Sequence, residues 1–305
     1  MNRLRKILAV CLFIGFCFGN FITETQSTVV PTSLDGQSFV YNVITCELNV
    51  TLDRKDYFVD TFQFKQQQYP AQTDVEIAVN ASNDNNINYT QTIGTDNYNI
   101  KFPYLVDMAY SYVYVLTDYY SDYALDIASI IMSDYDESSN FSSSSYGSGL
   151  LLELAYFLPP NETIWNTFQT ISSNQLNTSN YDEIVFDIIV QSSYTEQNGF
   201  VYLESYINCK IYERDYYDGK LNNGFLLIYE KSTGVLYGLH IKGTFDGKLL
   251  NKSIRCDTEL HIELADYDMP ELSLYTALSP NAGLVIISFG LTICAIVTIK
   301  RKKRN

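Results

Sequence analysis

Hydrophobic and polar positions alternate most clearly late in the chain. Val235, Tyr237, Leu239 and Ile241 share one side of an extended run, and Ile254, Cys256, Thr258, Leu260, Ile262 and Leu264 share one side of another. This is the period-two pattern of strands with one buried face. Asp246-Gly247 lies between them and fits a two-residue hairpin loop. Pairing Phe245 with Lys248 sets Leu239 opposite Ile254, Tyr237 opposite Cys256 and Val235 opposite Thr258, which keeps the apolar set together. Upstream, LLIYEKSTGVLYG predicts a second hairpin turning at Ser232, Thr233 and Gly234, and Val201, Leu203, Ile207, Cys209 and Ile211 mark another long strand. An antiparallel meander follows from these strands.

Further toward the N-terminus, SFVYNVIT, YFVDTFQF, DVEIAV and NYTQTI alternate again, separated by Asp, Asn and Gly clusters. Between the two halves the period changes. Ile164, Trp165, Phe168 and Ile171 recur at three to four, and Asn161 is placed to cap, so a short amphipathic helix is expected to cover a sheet face. The Tyr-rich span 104–132 is ambiguous between helix and strand. The expected class is mainly β (α+β): an antiparallel curved sheet or sandwich with one or more covering helices, plus a single C-terminal transmembrane helix. Residues 28–265 form the β-rich domain, with a candidate break in the Ser/Gly-rich stretch 134–149, and 266–281 read as a stalk with two prolines.

The two ends define a topology. From Ala282 to Ile299 the chain carries neither charge nor proline; as a helix that run spans about 27 Å, most of a bilayer core. Five basic residues, Lys300 to Arg304, follow directly, and such a cluster belongs on the cytoplasmic side. At the other end Arg3, Arg5 and Lys6 precede the apolar run Ile7 to Phe18, and small residues follow, as in a cleavable signal peptide over residues 1–27. The expectation is a cell-membrane protein of one pass, its N-terminal domain outside and residues 300–305 in the cytoplasm. Lys302 and Lys303 also match the dilysine signal for retrieval to the endoplasmic reticulum in eukaryotes, which makes residence in that membrane the alternative.

Charge sharpens this division. The whole chain has a net charge of −15. Three of its 20 Lys and Arg precede Asn20 and five follow Asn281, leaving 12 bases against all 35 acids, a net charge of −23 between those positions. Acidity of that order repels nucleic acid and anionic headgroups. The expected partners are therefore the bilayer, through the C-terminal helix, and an external ligand or protein. Cys46, Cys209 and Cys256 remain between the leader and the span, an odd number in phase with apolar neighbours, so buried thiols are expected; one bridge plus one free thiol is the alternative. Sequons for N-glycosylation occur at Asn49, Asn80, Asn88, Asn140, Asn161, Asn177 and Asn251.

Catalytic signals are sparse. The two histidines, His240 and His261, fall roughly 26 Å apart in the register above, because His240 would oppose Ser253. They could not then share an ion. Glu259, His261 and Glu263 share a strand face and could hold a divalent cation, although alternate charged residues on a strand more often form a solvated face. Asp134, Asp136, Ser138 and Asn140 resemble a calcium loop only faintly, since Ser139 stands where the turn glycine belongs. Gly147-Ser148-Gly149 falls short of a nucleophile elbow. No catalytic, metal or cofactor residue is assigned, and no cofactor is expected.

GQSFVYNV, FLPPNETIW and YEKSTGVL, together with a terminal span and basic tail, resemble the membrane-anchored surface proteins of Asgard-type archaea, some grouped as choice-of-anchor proteins. The positions that carry the likeness are Gly36, Ser38, Phe39, Tyr41 and Val43, then Pro159, Pro160 and Trp165, then Tyr229, Lys231, Thr233, Gly234, Val235 and Leu236. The resemblance implies an externally displayed β-rich domain without an established activity, and in an archaeon the dilysine signal has no role. The expected function is a surface binding or structural module, not an enzyme, in which a curved sheet under a helix could hold an apolar ligand. A membrane-tethered hydrolase is the alternative.

Overall fold

The computed structural model describes residues 34–65, 67–83, 86–103, 123–125, 127–128, 156–173, 185–213 and 217–278. The signal-peptide, Ser-rich-break, membrane-span and tail readings lie outside them, as do Asn140, Asn177, Lys302 and Lys303. Among the described residues no helix is long and apolar enough to cross a membrane.

Alternation in the sequence becomes alternation in burial. Twelve strands form among the described residues: β1 (Ser38–Leu52), β2 (Lys55–Val59), β3 (Thr61–Phe64), β4 (Gln67–Pro70), β5 (Val75–Asn83), β6 (Asn86–Ile93), β7 (Asp96–Pro103), β8 (Val185–Gln197), β9 (Phe200–Glu213), β10 (Tyr217–Glu230), β11 (Leu236–Leu249) and β12 (Lys252–Leu264). Helix α1 spans Glu162–Ser173 and the short α2 spans Ser273–Leu278. Ten strands make one antiparallel sheet in the order β7-β6-β5-β1-β12-β11-β10-β9-β8, with β2 beside the far end of β1, and β3 and β4 pair separately. Strands from both sides of residues 134–149 therefore belong to one sheet.

One face of this sheet, the inner face, is packed. Tyr123, Ala124, Leu125, Ile127 and Ala128 lie buried in helical turns, which resolves part of the ambiguous Tyr-rich span as helix. Tyr156, Phe157 and Leu158 join them, held to the start of β11 by Leu158 N–H to Gly234 O (2.8 Å) and Leu236 N–H to Tyr156 O (2.9 Å). Tyr41 donates its buried hydroxyl to Leu236 O at 3.0 Å and lies 4.8 Å, ring to ring, from Tyr156. In α1 the expected cap is present: Asn161 Oδ1 accepts the Thr163 N–H at 2.7 Å. Ile164, Trp165 and Phe168 turn into the core, as their spacing predicts.

Both predicted hairpins exist, but only one turns where expected. Between β10 and β11 the chain reverses at residues 231–234, with Gly234 at φ +71°. A side chain there would also collide with Leu158 O, 1.7 Å from the Cβ position. Between β11 and β12 the turn is Leu250-Asn251, both residues at positive φ (49° and 64°) as a two-residue loop requires. Asp246-Gly247 instead stays in the ladder, opposite Arg255 and Ile254 on one side and Lys220 and Gly219 on the other. Bare glycines let the strands close there, since a Cβ on Gly247 would lie 2.3 Å from Asp218 O. The register is thus eight residues from the expected one: His240 opposes His261, not Ser253, and Leu239 opposes Ile262. An even displacement leaves every side chain on its expected face, so the inward set is unchanged.

Candidate functional site

The corrected register creates the most chemically distinctive group on the outer face. His240 and His261 sit directly across the β11–β12 ladder and stack, ring centroids 4.5 Å apart and planes 13° from parallel. Their separation on the sheet is one strand spacing instead of the roughly 26 Å expected. Glu259, next on the same face of β12, accepts from Lys242 Nζ at 2.5 Å and lies 2.9 Å from His240 Nε2. Those contacts, the His240 hydrogen bond foremost, hold its carboxyl down at about 2. Burial pushes His261 below the ordinary imidazole range, and the neighbouring His240 pushes the same way. Its Nε2 is 3.3 Å from Glu263 Oε2 but out of line for a hydrogen bond, and so is buried unbonded.

Such a group is a neutralised charge cluster more than a metal cage. Stacking directs the two imidazole edges to different carboxylates, and Lys242 already occupies one oxygen of Glu259. Among the described residues no three His, Cys, Asp or Glu side chains converge as metal ligands, and neither imidazole is hydrogen-bonded to a hydroxyl.

Residues 266–278, read from sequence as a stalk, lie along the outer face beside this cluster. Met269, Leu272 and Tyr275 are buried against Tyr206, Leu226 and Ile228. The sheet provides for them with two glycines. A Cβ on Gly238 would meet Met269 Sδ at 2.5 Å, and one on Gly224 would meet the Tyr275 ring at 3.0 Å. Four polar contacts fix the segment: Met269 N–H to Glu263 Oε2 (3.2 Å), Ser273 Oγ and Leu274 N–H to the two oxygens of Glu204 (2.6 Å each), and Tyr206 Oη to Leu278 O (2.9 Å). Glu204, only 7% exposed, thereby satisfies the open N-terminus of α2. With helices inside and this strap outside, residues 221–229 of β10 are buried without interruption. The i, i+3, i+6 spacing of Met269, Leu272 and Tyr275 is the sequence signal that foretells the docking.

Elsewhere the outer face is open. Over β1, β2 and β5 it exposes Val40, Ile44 and Phe58, the last by 58%, and hydrogen-bonded Asn and Thr side chains run across β5, β6 and β7, as in Asn80 to Thr90 to Asn99. Three sequons stand on this side: Asn49 and Asn80 exposed, Asn88 half-buried. Asn251 is exposed at the β11–β12 turn, and Asn161 caps α1. Cys46, Cys209 and Cys256 are buried and unbridged, with burial pushing the Cys256 thiol well up. On the inner side, the hollow bordered by Cys46, Leu48, Thr61, Tyr123 and Thr258 measures about 10 Å³, the room of one water. Set against known families, curated proteins and solved structures, the chain finds no match in any of the three.

Proposed function

We propose that the chain is an exported, single-pass membrane-anchored module that binds or supports a partner on the external side without catalysis. The order of its last forty residues carries the reading: a strap docked on the sheet, the uncharged run 282–299, then five basic residues. The likeness to membrane-anchored surface proteins of Asgard-type archaea points the same way. Because the described inner face is filled with side chains and its hollow has room for one water, we place recognition on the open outer face of β1, β2 and β5. An apolar ligand held inside the curved sheet gains no support from that packing.

Protease treatment of intact cells, with epitopes placed after the leader and at the C-terminus, tests the topology. Loss of the first epitope and survival of the second is the expected result. Protection of both at the cell surface, with digestion only after the secretory membranes are opened, would favour retrieval through Lys302 and Lys303. Recovery of both epitopes in a soluble fraction would refute the anchor.

A further inference from the structure

The strap determines which way the sheet faces. Tyr206 holds Leu278 O against the outer face of β9, and the uncharged run begins at Ala282. Only three residues intervene, a reach of about 14 Å at up to about 3.6 Å per residue. Along the strands from that exit the outer face of β8 and β9 exposes two large side chains, Ile189 near it and Tyr212 about 20 Å farther along β9. Ile189, opposite Asn208, is 52% exposed, and Tyr212, opposite Asp218, is 50% exposed. Between them Lys210 is paired with Asp187, and the exposed Asp218 and Lys220 across the ladder on β10 add one charge of each sign, so the strip is close to electrically neutral.

We infer that the outer face of β8 and β9 seats on the bilayer surface, with Ile189 and Tyr212 as its interfacial contacts. The inference rests on the anchored reading above. A ring with an apolar body and a polar tip suits the headgroup layer, and a neutral strip on a chain of this acidity suits zwitterionic in preference to anionic lipid. The open patch of β1, β2 and β5 lies on the same side of the sheet but at least four strand spacings, about 19 Å, across from β9.

The test uses the full-length chain in phosphatidylcholine vesicles. Ile189→Cys, Tyr212→Cys and, as control, Phe58→Cys are labelled singly with an environment-sensitive fluorophore; all three sites are exposed, so the fold is not disturbed. Cys46, Cys209 and Cys256 are buried, Cys11, Cys17 and Cys294 are changed to Ser in every variant, and the chain without an added cysteine gives the background. The expected result is a blue shift at 189 and 212, with quenching by lipid spin-labelled at the headgroup, and neither change at 58. If all three probes report water while the chain stays with the vesicles through an alkaline wash, the seating is wrong and the anchor stands. Equal quenching at all three also overturns the seating. A chain washed free of lipid ends both readings.

Discussion

Phe168→Ala strikes the core where α1 packs on the sheet. Phe168 is fully buried, stacked 6.1 Å from Trp165 and tilted against Tyr229 at 6.2 Å, so α1 meets β10 through these three rings. Removing a buried benzyl group loses its transfer free energy and leaves a hollow that a close-packed interior closes only in part; the cost is about 3–5 kcal/mol. At about 1.4 kcal/mol per factor of ten, the folded population falls relative to the unfolded by about two to four orders of magnitude. For a domain of this size the expected drop in melting temperature is about 6–20 °C.

The assay is built into the chain, because Trp165 is its only tryptophan and is almost wholly buried. Its emission should be blue-shifted in the native state and move red as α1 leaves the sheet. Urea titration of the full-length chain in nonionic detergent, followed at Trp165, gives the stability directly. Asn166→Ala, on the exposed side of the same helix, should change it by no more than about 0.5 kcal/mol. A native emission typical of a wetted indole, or a Phe168→Ala cost below about 1 kcal/mol, would refute the docking of α1 as described.

Other outcomes follow from the outer face. A His240→Cys, His261→Cys pair should cross-link on mild oxidation, because directly opposed strand residues bring their Cβ atoms to about 4.5–5.5 Å; cross-linking of 240 with a cysteine at Ser253 instead would reinstate the Asp246-Gly247 turn. Stability should fall in two stages on acidification. Since His261 binds its proton less readily folded than unfolded, its contribution is complete above the ordinary imidazole value of 6.5 and is lost progressively as pH falls from there to its lower folded value. Glu259, folded at about 2 against an ordinary 4.5, contributes above 4.5 and loses its share as pH falls toward 2. Melting curves across pH check both, and Glu259→Gln should erase the lower stage while leaving the upper one. Glu204→Ala should cost about 1–3 kcal/mol by stranding the Leu274 N–H and Ser273 hydroxyl, and hydrogen exchange should show 266–278 losing protection before the sheet does.

The fold class was legible because burial on a sheet has period two, and that period survives in Val201 to Ile211 and in Ile254 to Leu264 whatever the pairing. The helix was legible for the same kind of reason, with Asn161 supplying its start. Pairing was not, and the cause is parity. A strand displaced by an even number of residues presents the same side chains inward, so agreement of the apolar faces tests orientation and leaves register untested. Asp-Gly is a common hairpin loop and drew the turn to 246–247; what decided against it was the long-range fit of Gly247 beside Gly219 on β10, which no local pattern contains. That one displacement hid the candidate site, for it separated two histidines that the folded ladder stacks. The strap was missed through a different weakness: Pro270 and Pro280 made the segment of Met269, Leu272 and Tyr275 read as a spacer, while the glycines that receive Met269 and Tyr275, Gly238 and Gly224, lie 31 and 51 residues earlier on other strands. Sequence periodicity reports which side of an element is buried, and sites made by what lies across a ladder or over a face depend on contacts it does not encode.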